Sequence, residues 1–338
     1  MANRLPSLSH KQLLALAQKE LIPPLSSTLH KGQAGRVCII GGSRDYTGAP
    51  YFCARATALM GMDLVHVVCP PAAAPVIKGY SPDLMVHPIL GISAESTSPG
   101  DISAELISLL QRMHAICVGP GLGRDAIARS DLLAILRHVV HSHDLGVVLD
   151  ADALWFLAED AEIRGLVSQM HKGQLVLTPN IIEARRIAKA VTKQDCNNTA
   201  GRIIASQFKC VVIEKGAADH VHYPDNNSTR DITCRVEGSL KRVGGQGDTL
   251  AGAVLAMIAY SRCMEERQAG PDLPQDKQPL TLTEQTVVAS YAACSVAREC
   301  SRRAFSRYGR AMQTSNLSHE VGAVFHDLLE REFDESEI

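Results

Sequence analysis

Six short runs rich in β-branched and other apolar residues, at 37–40, 64–68, 115–118, 147–149, 175–177 and 211–213, punctuate the chain, and nearly all are followed closely by glycine, aspartate or proline. Between them lie longer segments with helical spacing, for example 51–62, 103–113, 130–141 and 181–190. A strand that is apolar throughout, not alternating, is buried on both faces. Alternating such strands with helices builds a parallel sheet covered on two sides. The pattern predicts an α/β fold with a mostly parallel central sheet flanked by helices on both faces.

No internal repeat and no Pro/Gly/Ser-rich linker divides the 338 residues, and the most loop-like stretch, "RQAGPDLPQDKQPL", falls late, at 267–280. A single domain over 1–338 is the economical reading, with a core of about 30–333, an N-terminal helix at 8–20 and a frayed acidic tail at 333–338. "DNNSTRDITCRVEGS" reads as a turn and a short strand or two at an antiparallel edge, and 282–303 and 320–332 as closing helices.

With 46% hydrophobic and 21% charged residues, the chain has the composition of a soluble globular protein. A formal net charge of −2 and 4% aromatic residues leave no footprint for nucleic acid. The longest uncharged apolar segments, 249–261 and 286–297, fall short of the roughly 18 to 20 residues that span a bilayer. "MANRLPSLSHKQLLALAQKE" lacks the apolar stretch of a secretory signal. Ten cysteines with no Cys-x-x-Cys pair read as reduced intracellular thiols. The expected compartment is the cytosol, with mitochondria as the alternative.

Ligands of open α/β sheets bind beyond the carboxyl ends of the strands. The loops there are glycine-rich: "GGSRDYTGAP" (41–50), "GPGLGR" (119–124), "KGAAD" (215–219) and "GGQGD" (244–248). Any one of these could be a plain tight turn. Four on one rim point to a ligand with phosphates. There is no Gly-Lys dipeptide, which excludes a Walker A loop, no His-Arg-Asp kinase signature, no Gly-x-Ser-x-Gly and no His-Glu-x-x-His. "GPGLGR" lacks the Gly-x-Gly-x-x-Gly spacing, and "HSH" at 141–143 reads as a solvated turn.

In "VLDADALWF", Asp150 and Asp152 could contact substrate or a cation, or one of them could cap the next helix. In "LTPNIIEARRI", Asn180, Glu183 and Arg186 recur at i, i+3 and i+6 and roughly share a helical face, the plainer alternative being that Glu183 is a surface residue of the first turn. Asp248, between a Gly-Gly-Gln-Gly turn and an apolar helix, either caps that helix or handles a proton beside a phosphate.

The set "IIGGSRDYTGAPYFCARATALMGMDLVHV", "VIKGYSPDLMVHP", "AICVGPGLGRD", "VLDADAL", "LTPNIIEARRI", "IEKGAADHV", "GSLKRVGGQGDTLAGAV" and "AFSRYGRAM" closely resembles the eukaryotic ATP-dependent NAD(P)H-hydrate dehydratases, from about residue 32 to the last helix. The wider group is ribokinase-like, with a Gly-rich anion hole ending in a catalytic aspartate. The resemblance implies ATP-driven dehydration of the S-epimers of hydrated NADH and NADPH, giving ADP and phosphate, with ATP as co-substrate and Mg2+ as its ion. Metal ligands stay unassigned.

By that resemblance the hydrate is bound by Gly121, Asn180, Ile181, Ile182, Glu183, Ala184, Arg185, Arg186 and Asp248, of which Asp248 is catalytic. ATP takes Lys215, Gly216, Ala217, Ala218 and Asp219, and then Gly238, Ser239, Leu240, Lys241, Arg242, Val243, Gly244, Gly245, Gln246 and Gly247. Ala184 stands where the family usually has Phe, which loosens the packing expected beside the substrate. An NAD(P)H-hydrate epimerase is the implied functional partner, without a stable complex; no membrane or nucleic acid is involved, and a homo-oligomer is left open. Two other functions compete: a ribokinase-like kinase for a vitamin-precursor alcohol, and a non-catalytic nucleotide sensor. Asp248 argues against the sensor, since phosphate binding alone gains nothing from another negative charge.

Overall fold

All six apolar runs are strands of one nine-stranded sheet, ordered β3-β2-β1-β4-β5-β6-β7-β8-β9. The computed structural model describes residues 5–91, 102–196, 199–226, 228–268 and 280–331. The strands are β1 (Arg36–Ile40), β2 (Leu64–Val68), β3 (Met85–His87), β4 (Ala115–Val118), β5 (Gly146–Leu149), β6 (Leu175–Leu177), β7 (Val211–Glu214), β8 (Asp219–Asp225) and β9 (Ser228–Cys234). Neighbours from β3 to β7 pair in parallel, and β7–β8 and β8–β9 are antiparallel, so the expected antiparallel edge is a hairpin.

Alternate residues of the strands feed two cores. Val37, Ile39, Val65, Val67, Cys117, Val148 and Ile213 pack on one face, against α1 (His10–Leu21), α2 (Gly48–Leu59), α3 (Ala74–Tyr80), and the long helices described below. Cys38, Ile40, Val68, Ile116, Val118, Leu149 and Val212 pack on the other, against α4 (Ala104–Leu110), α5 (Ala126–Val139), α6 (Asp152–Glu159), α7 (Ala161–Val167), α8 (Ile181–Thr192) and α9 (Ala200–Phe208). Burial on both faces is why these runs read as unbroken apolar strings. Helices α10 (Gln246–Gln268), α11 (Leu282–Tyr308) and α12 (Thr314–Phe325) complete the first layer.

Helix α10 begins three residues earlier than the apolar run at 249–260 suggests, because the Gly-Gln-Gly-Asp turn itself coils into the first turn. Helices α3, α7 and α9 have only seven to nine residues, about two turns, and too few positions for a period to show. Most of the loop-like stretch at 267–280, and all of the acidic tail, lie outside the described residues.

Helices α2 and α10 approach so closely at Gly252 that a Cβ there would stand 2.2 Å from the Cys53 carbonyl oxygen. Thr57 Oγ1 seals the contact, donating to the carbonyls of Cys53 at 2.8 Å and Gly252 at 3.0 Å. The obstacle is backbone, which cannot rotate away. Gly252→Ala is therefore expected to cost about 1–3 kcal/mol, measured as a lower urea midpoint with unchanged slope. A midpoint equal to that of the parent would mean the two helices separate freely.

Candidate active site

The strand order reverses between β1 and β4, and a cleft opens at such a switch point. Two of the glycine loops meet there: the Gly42 N–H donates to the Pro120 carbonyl at 2.9 Å, and a Cβ on Gly41 would lie 2.2 Å from the same oxygen. Gly121, with φ +63°, is pressed against Tyr46 and Ala49, so the loops at 41–50 and 119–124 form one wall. The turn at 215–219 leaves β7, three strands further along, and forms the other.

Between the walls lie the carboxyl ends of β5 and β6 and the start of α10. Asp150, buried at 2% exposure, accepts from Thr178 Oγ1 at 2.7 Å and from Lys215 Nζ at 3.0 Å. Asn180 and Lys215 extend the β6–β7 ladder by a parallel bridge, which places the lysine beside the start of α8. Burial works against the charge of Lys215, but Asp150, Glu183 and Asp248 around it hold its pKa above the ordinary value. Asp152 accepts from the Gly123 N–H at 3.0 Å and from Arg124 Nε at 2.7 Å. Neither aspartate side chain caps α6, whose N-cap is Ala151 at φ +49°.

Asp248 sits in the first turn of α10 and is partly buried. Burial first, then the negative charge of Asp150, pushes its pKa up to about 7 against the pull of Lys215; Asp152 adds to the rise. No described carbonyl accepts from the N–H groups of Gly247 or Asp248, as the first turn of a helix leaves them. Gly245, at φ +94°, is the residue that lets the chain turn into the helix; a Cβ there would meet Thr314 at 2.8 Å and Phe52 at 3.1 Å. Thr314 Oγ1 holds the Gly244 carbonyl from behind.

A cleft of about 720 Å³ runs along the second wall. Of the residues expected at ATP, it is lined by Lys215, Gly216, Ala217, Asp219, Gly238, Arg242, Val243, Gln246 and Gly247. Ala218, Ser239, Gly244 and Gly245 back these turns without lining the cleft. The Ser239 N–H donates to Ser301 Oγ at 3.1 Å. Leu240 is 87% exposed, and Lys241 Nζ is committed to the carbonyls of Arg310 at 2.5 Å and Met312 at 2.7 Å, so neither side chain lines the cleft.

On the hydrate side, Asn180, Ile181 and Ile182 line this same cleft, so the helix start is not set apart from the nucleotide turns. Asn180 Oδ1 accepts from the N–H groups of Ile182 and Glu183, and Glu183 Oε2 accepts from the Asn180 N–H, which is a capping box. Glu183 is thus the first-turn residue that its sequence position allowed, with burial raising its pKa against the pull of Lys215. Arg185 and Arg186 are exposed on α8. Ala184 has no exposed surface and packs into the second core.

Sequence reasoning missed Arg298 of α11. It is buried at 7% exposure, donates from Nε to Asp219 Oδ2 at 2.8 Å, and binds the carbonyls of Gly216 at 3.0 Å, Ala217 at 2.6 Å and Val236 at 3.2 Å. Asp219 in turn accepts from the Gly216 N–H at 3.1 Å, so it shapes the turn instead of facing ligand alone. The available clue was a charge at the end of the apolar run at 286–297. Among the described residues no group of three or more His, Cys, Asp or Glu gathers as a metal site.

A mostly parallel α/β sheet whose rim carries a helix start with unpaired N–H groups, and a carboxylate inside its first turn, is arranged to hold an anion beside a group that can take a proton. Comparison with known proteins narrows this. The profile described as NAD(P)H-hydrate dehydratase matches residues 37–322. An ATP-dependent (S)-NAD(P)H-hydrate dehydratase of Saccharomyces cerevisiae is 44% identical over 336 residues, 96% of this chain and 99% of that protein. Two solved structures are similar in fold: a ribokinase-like superfamily protein of Enterococcus faecalis (TM-score 0.70, 18% identity, 96% of each chain) and the ADP/ATP-dependent NAD(P)H-hydrate dehydratase of Bacillus subtilis co-crystallised with ATP/Mg2+ (TM-score 0.64, 20% identity, 95% of this chain and 97% of that one). The chain belongs to the NAD(P)H-hydrate dehydratase family.

Proposed function

We propose that the chain dehydrates the S-epimers of hydrated NADH and NADPH at the expense of ATP, releasing the reduced dinucleotide, ADP and phosphate. The observation that carries this reading is the place of Asp248, in the first turn of α10 beside N–H groups that no described carbonyl takes; burial and Asp150 push its pKa up to about 7, which suits a general base. Asp248 takes the proton of the C6 hydroxyl as its oxygen bonds to the γ-phosphorus and the bond to ADP breaks. The N–H groups of Gly247 and Asp248 and the start of α10 hold the phosphoryl oxygens. Phosphate is a far better leaving group than hydroxide. The ring nitrogen then expels it from C6, and loss of a C5 proton restores the dihydronicotinamide.

Mg2+ fits as an ion that arrives on the triphosphate with its own waters, because the described residues gather no cage of carboxylates for it. Asp150 Oδ2, which accepts from no described residue, would be its protein contact, and the ion would neutralise charge on the phosphates. The epimerase supplying the S-form is a functional partner without a stable complex in this reading. Ten free cysteines suit a reducing compartment such as the cytosol, and no described helix is long and apolar enough to cross a membrane.

The test is to incubate the protein with hydrated NADH, ATP and Mg2+ and follow dihydronicotinamide absorbance together with phosphate. A vitamin-precursor kinase would instead leave a stable phosphorylated product and no new absorbance. Because Asp248 must be deprotonated to act, kcat/KM is expected to rise with pH, up to tenfold per unit, and to level off above about 7. A profile already flat at pH 5 would remove Asp248 from that role.

A further inference from the structure

Arg124 lies on the wall opposite the nucleotide turns, and nothing so far gives it a task. Its Nε donates to Asp152 Oδ1 at 2.7 Å, and its guanidinium carbon lies 5.3 Å from the centroid of the Trp155 ring. Asp152 is itself fixed, since its other oxygen accepts from the Gly123 N–H. The guanidinium is therefore held on one edge and one face. Its two terminal nitrogens donate to no acceptor among the described residues, and the side chain is 54% exposed. An ion pair this exposed contributes at most about 1 kcal/mol to stability, so stability does not account for the three-part support. What such support does is remove rotamer freedom before a ligand arrives.

We infer that Arg124 is a preorganised clamp for a phosphate group of the dinucleotide substrate, with its free edge presented at the switch-point wall. The inference rests on the dehydratase reading for the identity of the substrate. Three features assign the ligand chemistry. A planar guanidinium edge matches phosphate oxygens in pairs. The loop at 119–124 leaves β4 next to the loop from β1, three strands from the turn at 215–219, so the ATP phosphates are not its natural target. Every hydrated dinucleotide carries a pyrophosphate, and the NADPH form adds a 2′-phosphate. Arg44, in the neighbouring loop, is exposed and has no ion pair or ring contact among the described residues.

The experiment compares the parent with Arg124→Ala and Trp155→Leu, measuring KM for each hydrate, KM for ATP, kcat and melting temperature. For Arg124→Ala, KM for hydrate is expected to rise about 10- to 100-fold, the weight of a charge-assisted hydrogen bond, with kcat and KM for ATP within about twofold. Trp155→Leu keeps the charge but frees it, and a smaller rise is expected. A rise for both hydrates assigns the pyrophosphate; a rise for the NADPH hydrate alone assigns the 2′-phosphate. A parallel fluorescence titration with NADH and NADPH needs no turnover. If the parent binds them but dehydrates neither hydrate, the proposed function falls, while loss of binding in Arg124→Ala still upholds the clamp. Equal dinucleotide affinity in parent and Arg124→Ala, or a rise confined to KM for ATP, overturns it.

Discussion

Asp248→Asn is expected to lower kcat by roughly 10² to 10⁴, the usual contribution of a positioned general base, while ATP still binds. The same change should raise the melting temperature at pH 8. Burial and Asp150 set the folded pKa of Asp248 near 7, well above the ordinary carboxylate value. The fold therefore holds this proton more tightly than the unfolded chain does. The resulting stabilisation is present at low pH and lost as pH rises through about 7. At pH 8 the carboxylate is charged beside Asp150 and Asp152, and the amide relieves that repulsion. The melting-temperature gap between variant and parent should thus widen from pH 5 to pH 8. A capping role gives the opposite pattern: Asn caps as well as Asp, so both activity and stability would stay close to the parent at every pH. Near-normal turnover in folded Asp248→Asn would sink the catalytic assignment.

What the sequence made legible follows from how each signal arises. The strands from β1 to β7 other than β3 announced themselves because burial on both faces demands unbroken apolar runs. The glycine turns did so because glycine alone readily takes the φ of +94° at Gly245, and because at Gly121 a Cβ would stand 2.8 Å from the Tyr46 carbonyl oxygen. The three residues of β3 were too few to register. The charge pairs of the site were invisible for a different reason: Lys215 and Asp150 stand 65 positions apart, and Arg298 and Asp219 stand 79 apart. Linear spacing shows which side chains share a helix face and is silent on which loops a sheet brings together. Asn180 and Glu183 were found for their helical spacing, and the structure uses that spacing first to cap α8.

Arg298 shows how a residue outside every motif can govern the nucleotide half of the site. Arg298→Met would leave the Asp219 carboxylate buried without its cation, strip the carbonyls of Ala217 and Val236 of their donor, and leave that of Gly216 to Arg242 alone. Removing one member of a buried pair costs about 3–5 kcal/mol, on the order of 10 °C in melting temperature. KM for ATP should rise as well, because the turn at 215–219 lines the cleft and Arg298 is what pins it to α11. The two effects separate in the double variant Asp219→Asn with Arg298→Met. It carries no orphaned charge, so part of the lost stability is expected to return. The turn still lacks its anchor, so ATP affinity is expected to stay low. A single Arg298→Met variant that melts with the parent and keeps its KM for ATP would mean the turn holds its shape unaided. Recovery of both properties in the double variant would reduce Arg298 to a counter-charge for Asp219.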